Sequence, residues 1–425
     1  MKGVGPTLLP ELLLSFARPY RSRRAVERYQ DKALRRLIDH CYARVPFYRR
    51  YFERHGLGPQ NVRTVADLLR LPPIARRELQ EAPIRDRLAS GVELSACHVY
   101  ETSGSTGEPL RIARTPHEDA RIFGRRLRAQ ILAGLRPWHL RVNIGSPRRI
   151  FGWHRIGAFP IQTVPNLPPH HDLLERVAAL EPDVLVVTPE SLDLLVEQAP
   201  HAPRLGLAHI FSGANQLPGS VRRRAIETFE APLTDFYGTT ECSLVAWECR
   251  RCGSYHTSDD SVIVEVIRDD GSEAAPGEEG ELILTVLHSL AMPFVRLRLG
   301  DRVRRPFAPR ACAVRFGSLE SIEGRIMDYL LFPDGKTLAP FRILAAMDEV
   351  EGVARWELEQ RDERQLDLRF EPLPGADVER VVREIRAECA PYFPPGVELA
   401  IERVRFEGKT AVEKLRFVRG MKPSA

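Results

Sequence analysis

The sequence predicts an α/β protein with a large N-terminal part of layered helices and strands, then a β-rich segment, then a small α+β part. Short β-branched runs alternate with helical patterns in the first part, as in a sheet covered by helices. The strand runs are 140–144, 183–188 and 208–211, and the helical patterns are 173–180, 191–198 and 219–229. From about residue 261 the pattern becomes all-β, with runs typical of a hairpin at 262–267 and 281–286.

The last hundred residues predict a separate, smaller domain. Strand runs at 356–360, 366–370 and 397–404 accompany one helical pattern at 377–389. A chain of 425 residues is long for a single domain. We therefore expect an N-terminal domain at 1–325 and a C-terminal domain at 326–425.

The basic N-terminal segment is predicted to form a helix that packs on the body of the protein. Residues 1–60 hold 13 Lys and Arg against five Asp and Glu, whereas the whole chain has a net charge of only +5. Such a segment could contact nucleic acid or an acidic membrane surface. Its apolar residues, however, share one face of a helix: Leu34, Leu37, Ile38, Cys41 and Val45. We therefore expect solvated arginines and no nucleic-acid partner.

Composition excludes several further classes. No apolar run reaches the ~18 residues that a membrane span requires. The N-terminus lacks the uninterrupted apolar run of a secretory signal. Seven cysteines, an odd number, argue against a disulfide framework. These features predict a cytoplasmic protein without a membrane span.

The first functional signal is the stretch YETSGSTGEP at 100–109. Its centre is a run of six small residues: Thr102, Ser103, Gly104, Ser105, Thr106 and Gly107. Glycine allows close approach of a ligand, and successive backbone N–H groups form a concavity that binds anions. Triphosphate is the obvious anion, although the P-loop pattern GxxxxGK(S/T) is absent because no lysine follows the last glycine. A solvated Ser/Gly turn is the alternative interpretation.

Five motifs in order resemble the signatures of the adenylate-forming enzymes, the superfamily that includes acyl-CoA synthetases. After TSGSTGEP come DFYGTTE at 235–241, GEL…MP…RLRLGD at 280–301, GRIMD at 324–328 and EKLR at 413–416. The resemblance covers roughly residues 30–420. It is closest to the phenylacetate-CoA ligase-like branch, whose opening is similar to RVPFY at 44–48. The resemblance implies an ATP-binding N-terminal domain and a mobile C-terminal domain that swings about residues 326–328.

The resemblance also implies a nucleotide site. The glycine loop would hold the β- and γ-phosphates, Thr240 would hydrogen-bond phosphate, and Glu241 would hold Mg²⁺. Tyr237 would stack on adenine, and Asp301 would accept hydrogen bonds from the ribose hydroxyls. The remaining nucleotide-binding positions are Ser212, Gly213, Ala214, Asn215, Gly238, Thr239 and Arg325. Most relatives have an acid where Asn215 stands. A surface acid is the alternative for Glu241, and a turn residue for Asp301.

A lysine near the C-terminus would contact both the carboxylate and the α-phosphate. Lys414 matches the family's ending best, Lys409 follows a literal Gly-Lys pair, and a solvated tail is the third interpretation. Aromatic walls for the acyl group are expected from Phe151, Trp153, His154 and Phe236, which favours an aromatic or flat acid. Core positions for these residues are the alternative.

Close relatives show a pattern that resembles a structural zinc site. It uses a cysteine, a histidine seven residues later, and a CPCG pair. Cys249 and His256 stand at the first spacing, and Cys312 matches the second cysteine of the pair. Cys252, at C-x-x-C spacing from Cys249, would replace the missing ligand. The implied set is three cysteines and one histidine around Zn²⁺; reduced, unliganded cysteines are the alternative. Cys242 is predicted to lie in the core.

The function implied by the resemblance is an acid–thiol ligase. A carboxylic acid and ATP would give an acyl-adenylate, and coenzyme A or a carrier-protein thiol would take the acyl group. A second hypothesis is AMP transfer to a hydroxyl acceptor, as in a deazaflavin-adenylating group that resembles this branch; an amine acceptor also stays open. A third is a binding protein without turnover, against which the intact loop, Glu241 and Asp301 argue. A homodimer is left open.

Overall fold

A computed structural model describes residues 15–101, 110–145, 157–165, 172–201, 204–308, 311–325, 330–334, 337–338, 342–343, 346–347, 349–406 and 418–419. The α-helices in these ranges are α1 (Arg23–Arg44), α2 (Pro46–Arg54), α3 (Arg76–Glu81), α4 (Ile84–Arg87), α5 (Pro116–Ala133), α6 (Leu173–Ala178), α7 (Pro189–Gln198), α8 (Gly219–Phe229) and α9 (Val378–Cys389). Among the described residues, no helix combines the length and the apolar character needed to cross a bilayer.

Within the described residues, twenty strands form five sheets. The first ten are β1 (His98–Glu101), β2 (Arg111–Arg114), β3 (Arg141–Ile144), β4 (Ile161–Val164), β5 (Val184–Val187), β6 (His209–Gly213), β7 (Leu233–Tyr237), β8 (Ala246–Cys249), β9 (Ser254–Thr257) and β10 (Val262–Ile267). The others are β11 (Glu279–Val286), β12 (Phe294–Arg304), β13 (Ser318–Leu319), β14 (Ser321–Arg325), β15 (Leu330–Leu331), β16 (Thr337–Leu338), β17 (Val353–Gln360), β18 (Gln365–Pro372), β19 (Glu398–Arg403) and β20 (Val418–Arg419).

The central sheet has eight strands in the order β13-β9-β8-β7-β6-β5-β3-β4. Strands β3 to β7 run parallel, and β7, β8, β9 and β13 pair antiparallel. Successive side chains of a strand point to opposite faces. Accordingly Leu185 and Val187 of β5 enter one apolar core, and Val184 and Val186 enter another. The sheet is therefore covered on both faces, and ligands are expected at the carboxyl ends of its parallel strands.

The second sheet is antiparallel, with the order β10-β11-β12-β14. Helix α1 packs on it, and the face predicted from the sequence is almost completely buried: Leu34, Leu37, Ile38, Cys41 and Val45 are at most 1% exposed. An extended residue, Ile74, lies against β12, where its N–H donates to the Arg296 carbonyl (2.8 Å) and its carbonyl accepts from the Arg298 N–H (2.9 Å). This pairing fixes the start of α3 beside the second sheet.

Residues from 330 onward form a core of their own. The sheet β19-β18-β17-β20 packs against α9, with Leu358, Leu368 and Ile385 fully buried between them. An ion pair links this unit to the central sheet's helices. The Arg355 guanidinium of β17 contacts both oxygens of Glu197 on α7, at 2.7 and 2.6 Å.

The element types predicted from the sequence are confirmed, with two differences. Ser212 and Gly213 lie inside β6 rather than after it. The antiparallel region also begins earlier than residue 261, since β8 and β9 already pair antiparallel.

Candidate active site

The carboxyl ends of β6 and β7 lie side by side. Gly213 pairs with Phe236, and a methyl group at Gly213 would lie 2.6 Å from the Phe236 carbonyl oxygen. Only glycine fits there. The next residue, Ala214, has a φ of 81°, which turns the chain away from the sheet. The predicted SGAN segment (212–215) therefore lies close beside the YGTTE segment.

Asn215 stands where most relatives have an acid, but a carboxylate lies next to it. Its side-chain amide donates to Glu190 at the start of α7. The Asn215 side chain is thus held by a carboxylate from a neighbouring element. Glu190 could not be predicted from the sequence, because it lies 25 residues away and outside every motif.

Two motifs meet through a hydrogen bond. Tyr237 is the last residue of β7, and its hydroxyl donates to the carboxylate of Asp301 on β12. Asp301 is 8% exposed and pairs through its backbone with Arg325 of β14. The residues that the resemblance assigns to adenine and ribose are therefore neighbours, which is the arrangement that a nucleoside needs.

The YGTTE segment continues into a compact turn. A methyl group at Gly238 would lie 2.1 Å from the Ser243 carbonyl oxygen. The Ser243 N–H donates to the Thr239 carbonyl at 2.7 Å, and the Val245 N–H donates to the Tyr237 carbonyl at 2.9 Å. This close backbone approach requires glycine, and it holds Thr240 and Glu241 at the edge of the sheet.

Glu241 is fully buried and held by an arginine that belongs to no motif. Its Oε1 lies 2.5 Å from an Nη of Arg76, the first residue of α3. Its second oxygen, Oε2, is buried and has no hydrogen-bond partner within the described residues. The preceding carbonyl, that of Thr240, accepts from the Arg114 guanidinium of β2. Sequence reasoning missed both arginines.

Arg114 connects this turn to the strands that flank the glycine loop. Strands β1 and β2 pair antiparallel, with Glu101 opposite Arg111, so the two ends of the loop are adjacent. Arg114 lies 3.7 Å from Asp119 of α5, which also accepts from the Tyr100 hydroxyl at 2.7 Å. The buried Asp119 carboxylate thus ties α5 to both strands.

Several predicted site residues lie outside the described residues. These are the glycine loop at 102–107, Phe151, Trp153, His154, the hinge at 326–328, Lys409 and Lys414. The Arg325 side chain also lies outside the description. Phe236 is described, and it lies in the core: it is 4% exposed and packs edge-on against Phe211 at 5.3 Å between ring centroids. It is therefore part of the packing beneath the site.

A cysteine–histidine cluster lies at the turn between β8 and β9 of the central sheet. The ligand atoms of Cys249, Cys252, His256 and Cys312 all lie within 4.8 Å of one another. The two sulfurs of Cys249 and Cys312 are 3.8 Å apart, and the His256 Nε2 lies 3.5 Å from the Cys252 sulfur. The His256 side chain lowers the pKa of the Cys249 thiol to about 6. A thiolate is the form that binds metal.

The cluster is built by the turn between β8 and β9 and by the segment before β13. Cys249 ends β8, and His256 lies opposite Ser318 of β13. Cys242, in contrast, is 4% exposed and lies in the core, as the sequence predicts. The four residues that the family resemblance implied, with Cys252 as the substitute ligand, are therefore brought together by the fold.

Comparisons with known proteins agree with this architecture. A family model described as AMP-binding enzyme matches residues 150–286. The phenylacetate-coenzyme A ligase of Thermus thermophilus is 28% identical, with 81% of this chain and 80% of the relative covered. The chain is therefore similar to AMP-binding, adenylate-forming enzymes. The phenylacetate-coenzyme A ligase of Escherichia coli is another similar protein, 28% identical over 71% of each protein.

Solved structures of a 2-hydroxyisobutyryl-CoA ligase share the fold. In its postadenylation state with 2-HIB-AMP, that ligase matches with a TM-score of 0.80 and 21% identity, covering 95% of this chain and 91% of the other. The same ligase in its thioesterification state, with 2-HIB-AMP and CoA, matches with a TM-score of 0.65. That match covers 94% of this chain and 91% of the other. The adenylate-forming fold therefore accounts for nearly the whole chain.

Proposed function

We propose that the protein is an acid–thiol ligase. A carboxylic acid attacks the α-phosphorus of ATP, pyrophosphate leaves, and the thiol of coenzyme A then takes the acyl group from the acyl-adenylate. The observation that carries the proposal is the hydrogen bond from Tyr237, the last residue of β7, to Asp301 of β12, with the buried Glu241 in the turn that follows β7. Relatives named phenylacetate-coenzyme A ligase support both the activation and the thiol acceptor.

The first step brings two anions together, so the site must neutralise charge and hold the reactants in line. Asp301 would bind the ribose hydroxyls while its contact with Tyr237 orders the adenine platform. Thr240 and the glycine loop at 102–107 would hold phosphate oxygens. Lys414, with Lys409 as the alternative, would contact the carboxylate and the α-phosphate during this step only, because a neutral thiol attacks in the second.

Glu241 fits a divalent cation. Its buried Oε2 lacks a partner within the described part of the chain, and an unpaired buried carboxylate oxygen is costly. Carboxylate and phosphate oxygens are the ligands that Mg²⁺ prefers. Mg²⁺, when bound there, would neutralise charge on the phosphates of ATP.

We also propose that residues 326–425 form a domain that changes orientation between the two steps. Support comes from its separate apolar core and from the ion pair between Arg355 and Glu197 that joins it to α7. The arrangement is more similar to the postadenylation state of the 2-hydroxyisobutyryl-CoA ligase than to its thioesterification state, with TM-scores of 0.80 and 0.65. Hinges are often a few residues that absorb large backbone rotations.

The acid is proposed to be aromatic. The relatives named for phenylacetate support this class. A 2-hydroxyisobutyryl-CoA ligase shares the fold, so short branched acids belong in any substrate panel. A cytoplasmic location, expected from the sequence, would supply the ATP and coenzyme A.

The cysteine–histidine cluster is proposed to hold a structural Zn²⁺. With Zn–S near 2.3 Å and Zn–N near 2.05 Å, a tetrahedral site places ligand sulfurs about 3.8 Å apart and sulfur and nitrogen about 3.6 Å apart. The corresponding separations here are 3.8 Å for Cys249 to Cys312 and 3.5 Å for Cys252 to His256. Bound zinc would tie the β8–β9 turn to the segment before β13.

ATP–pyrophosphate exchange over a panel of aryl, arylacetic and short branched acids tests the proposed function. Exchange that depends on one acid class, followed by a coenzyme A thioester in the presence of the thiol, is the expected result. Exchange without any thioester, but with an AMP adduct of a hydroxyl compound, would point to nucleotidyl transfer instead. Absence of acid-dependent exchange across the panel would contradict acid activation.

A further inference from the structure

Arg76 contacts the buried carboxylate of Glu241, yet it lies far outside the motifs of the nucleotide site. The two residues are 165 positions apart, and the Arg76 Nη to Glu241 Oε1 distance is 2.5 Å. The Glu241 side chain is 0% exposed, and that of Arg76 is 27% exposed. The Glu241 carboxylate is shielded from water, although the Arg76 side chain is partly exposed. The charge-assisted hydrogen bond between them therefore constrains the carboxylate strongly.

In the part of the chain that the structure describes, one of the two Glu241 carboxylate oxygens has a hydrogen-bond partner, Arg76. Within the described residues, Oε2 of Glu241 is buried without a hydrogen-bond partner, and the Nε of Arg76 is likewise buried and without one. The guanidinium therefore holds the carboxylate from one side and leaves its other oxygen available. A carboxylate held by one oxygen cannot rotate freely, so the direction of the second oxygen is set.

The main chain places Arg76 accurately. Ile74, two residues earlier, exchanges two backbone hydrogen bonds with β12, at 2.8 and 2.9 Å. Strand β12 also carries Asp301. The Ala75 N–H then donates to Glu78 at 2.8 Å, which caps the start of α3. Arg76 is thus positioned by the same strand that carries the carboxylate assigned to ribose.

We propose that Arg76 is a positioning residue that holds the Glu241 carboxylate so that its Oε2 faces the divalent cation of the bound nucleotide. The proposal rests on the proposed function, because it assigns Glu241 to the cation that accompanies ATP. Arg76 acts through Glu241 and does not itself touch the reacting atoms. Residues that orient a metal ligand in this way typically account for about 10- to 100-fold in metal affinity.

Binding of Mn²⁺, used as a paramagnetic substitute for Mg²⁺, provides a test that is independent of catalysis. Electron paramagnetic resonance measures free Mn²⁺ in the presence of the protein and an ATP analogue with a methylene group between the α- and β-phosphates. The variants are Arg76→Gln, Arg76→Lys and Glu241→Gln. The matched control is Arg77→Gln, which removes the same charge from the next residue, where the side chain is 84% exposed and pairs with Glu81.

We expect Arg76→Gln to weaken Mn²⁺ binding by about 10- to 100-fold, close to the effect of Glu241→Gln. Arg76→Lys should recover part of the loss, since lysine keeps the charge but not the planar fork. Arg77→Gln should stay within twofold of the wild type. Circular dichroism of each variant reports folding, and Arg76→Lys carries the test if Arg76→Gln does not fold.

Unchanged Mn²⁺ affinity in folded Arg76 variants would overturn the proposal. Tighter binding would overturn it as well, because it would mean that the guanidinium competes with the cation. The assay contains no acid and no thiol, so it separates two failures. Loss of acid-dependent exchange with normal Mn²⁺ binding in the wild type contradicts the ligase function alone, whereas a wild type that binds no Mn²⁺–nucleotide contradicts both.

Discussion

Alanine at Gly238 perturbs the turn that carries Thr240 and Glu241. A methyl group there would lie 2.1 Å from the Ser243 carbonyl oxygen, and real contacts of this kind essentially never fall under 3.0 Å. The turn must therefore open by about 0.9 Å, from 2.1 to 3.0 Å. Because the obstacle is backbone rather than a flexible side chain, the shift is transmitted along the turn.

The expected effect on activity is large. Displacing a catalytic constellation by about 1 Å can cost on the order of 100-fold in rate. Forcing an added methyl into a packed site costs about 1–3 kcal/mol of stability. We therefore predict that Gly238→Ala lowers acid-dependent pyrophosphate exchange by about 100-fold while the protein remains folded.

The measurement is pyrophosphate exchange with the most active acid of the panel, together with thermal unfolding. Gly206→Ala is the control, since a methyl group at Gly206 meets nothing within 4 Å and its φ is not in the left-handed region. Activity of Gly238→Ala within threefold of this control would refute the reasoning, because the turn would then tolerate the shift.

Three further predictions concern other parts of the molecule. Elemental analysis of the purified protein should find about one equivalent of zinc. Cys252→Ser should lose this zinc, and Cys97→Ser should keep it. A protein that contains no metal and is unaffected by chelators would contradict the prediction. Glu197→Arg should lower the ratio of pyrophosphate exchange to thioester formation from supplied acyl-adenylate. The expected decrease is up to about fivefold, because the lost ion pair is partly exposed. Adding Arg355→Glu to the same chain should restore the ratio. Burial lowers the pKa of His209 from 6.5 to about 4, so the unfolded chain binds the proton more tightly and stability falls as the pH drops between these values. Between pH 7 and pH 5, the free energy of unfolding measured by chemical denaturation should fall by about 2 kcal/mol less in His209→Gln than in the wild type. Equal falls in the two proteins would contradict the prediction.

Local elements were predictable from the sequence because periodicity reports burial directly. The face of α1 from Leu34 to Val45 and the run at 219–229 follow from the helical period, and the structure agrees with both. The cysteine–histidine cluster was also predictable, since three of its residues lie in one short hairpin. Cys312, 56 residues from His256, followed only from the resemblance to the family.

Contacts between distant segments were not predictable in the same way. Arg76 and Glu190 reach the site from helices whose sequences carry no motif, across 165 and 25 residues to their partners. The Ile74 pairing with β12 that places Arg76 depends on sheet order, which hydrophobic patterns do not encode. For Phe236, the sequence left an acyl-pocket wall and a core position open, and the structure places its side chain in the core.

The central claim is tested most directly by following a labelled oxygen. An acid carrying ¹⁸O in its carboxylate is incubated with the protein, ATP and coenzyme A, and the AMP produced is analysed by mass spectrometry. Attack of the carboxylate on the α-phosphorus followed by thiol attack on the carbonyl leaves one labelled oxygen in AMP, and we predict this result in every turnover. AMP without label, alongside thioester or an AMP adduct, would contradict an acyl-adenylate intermediate.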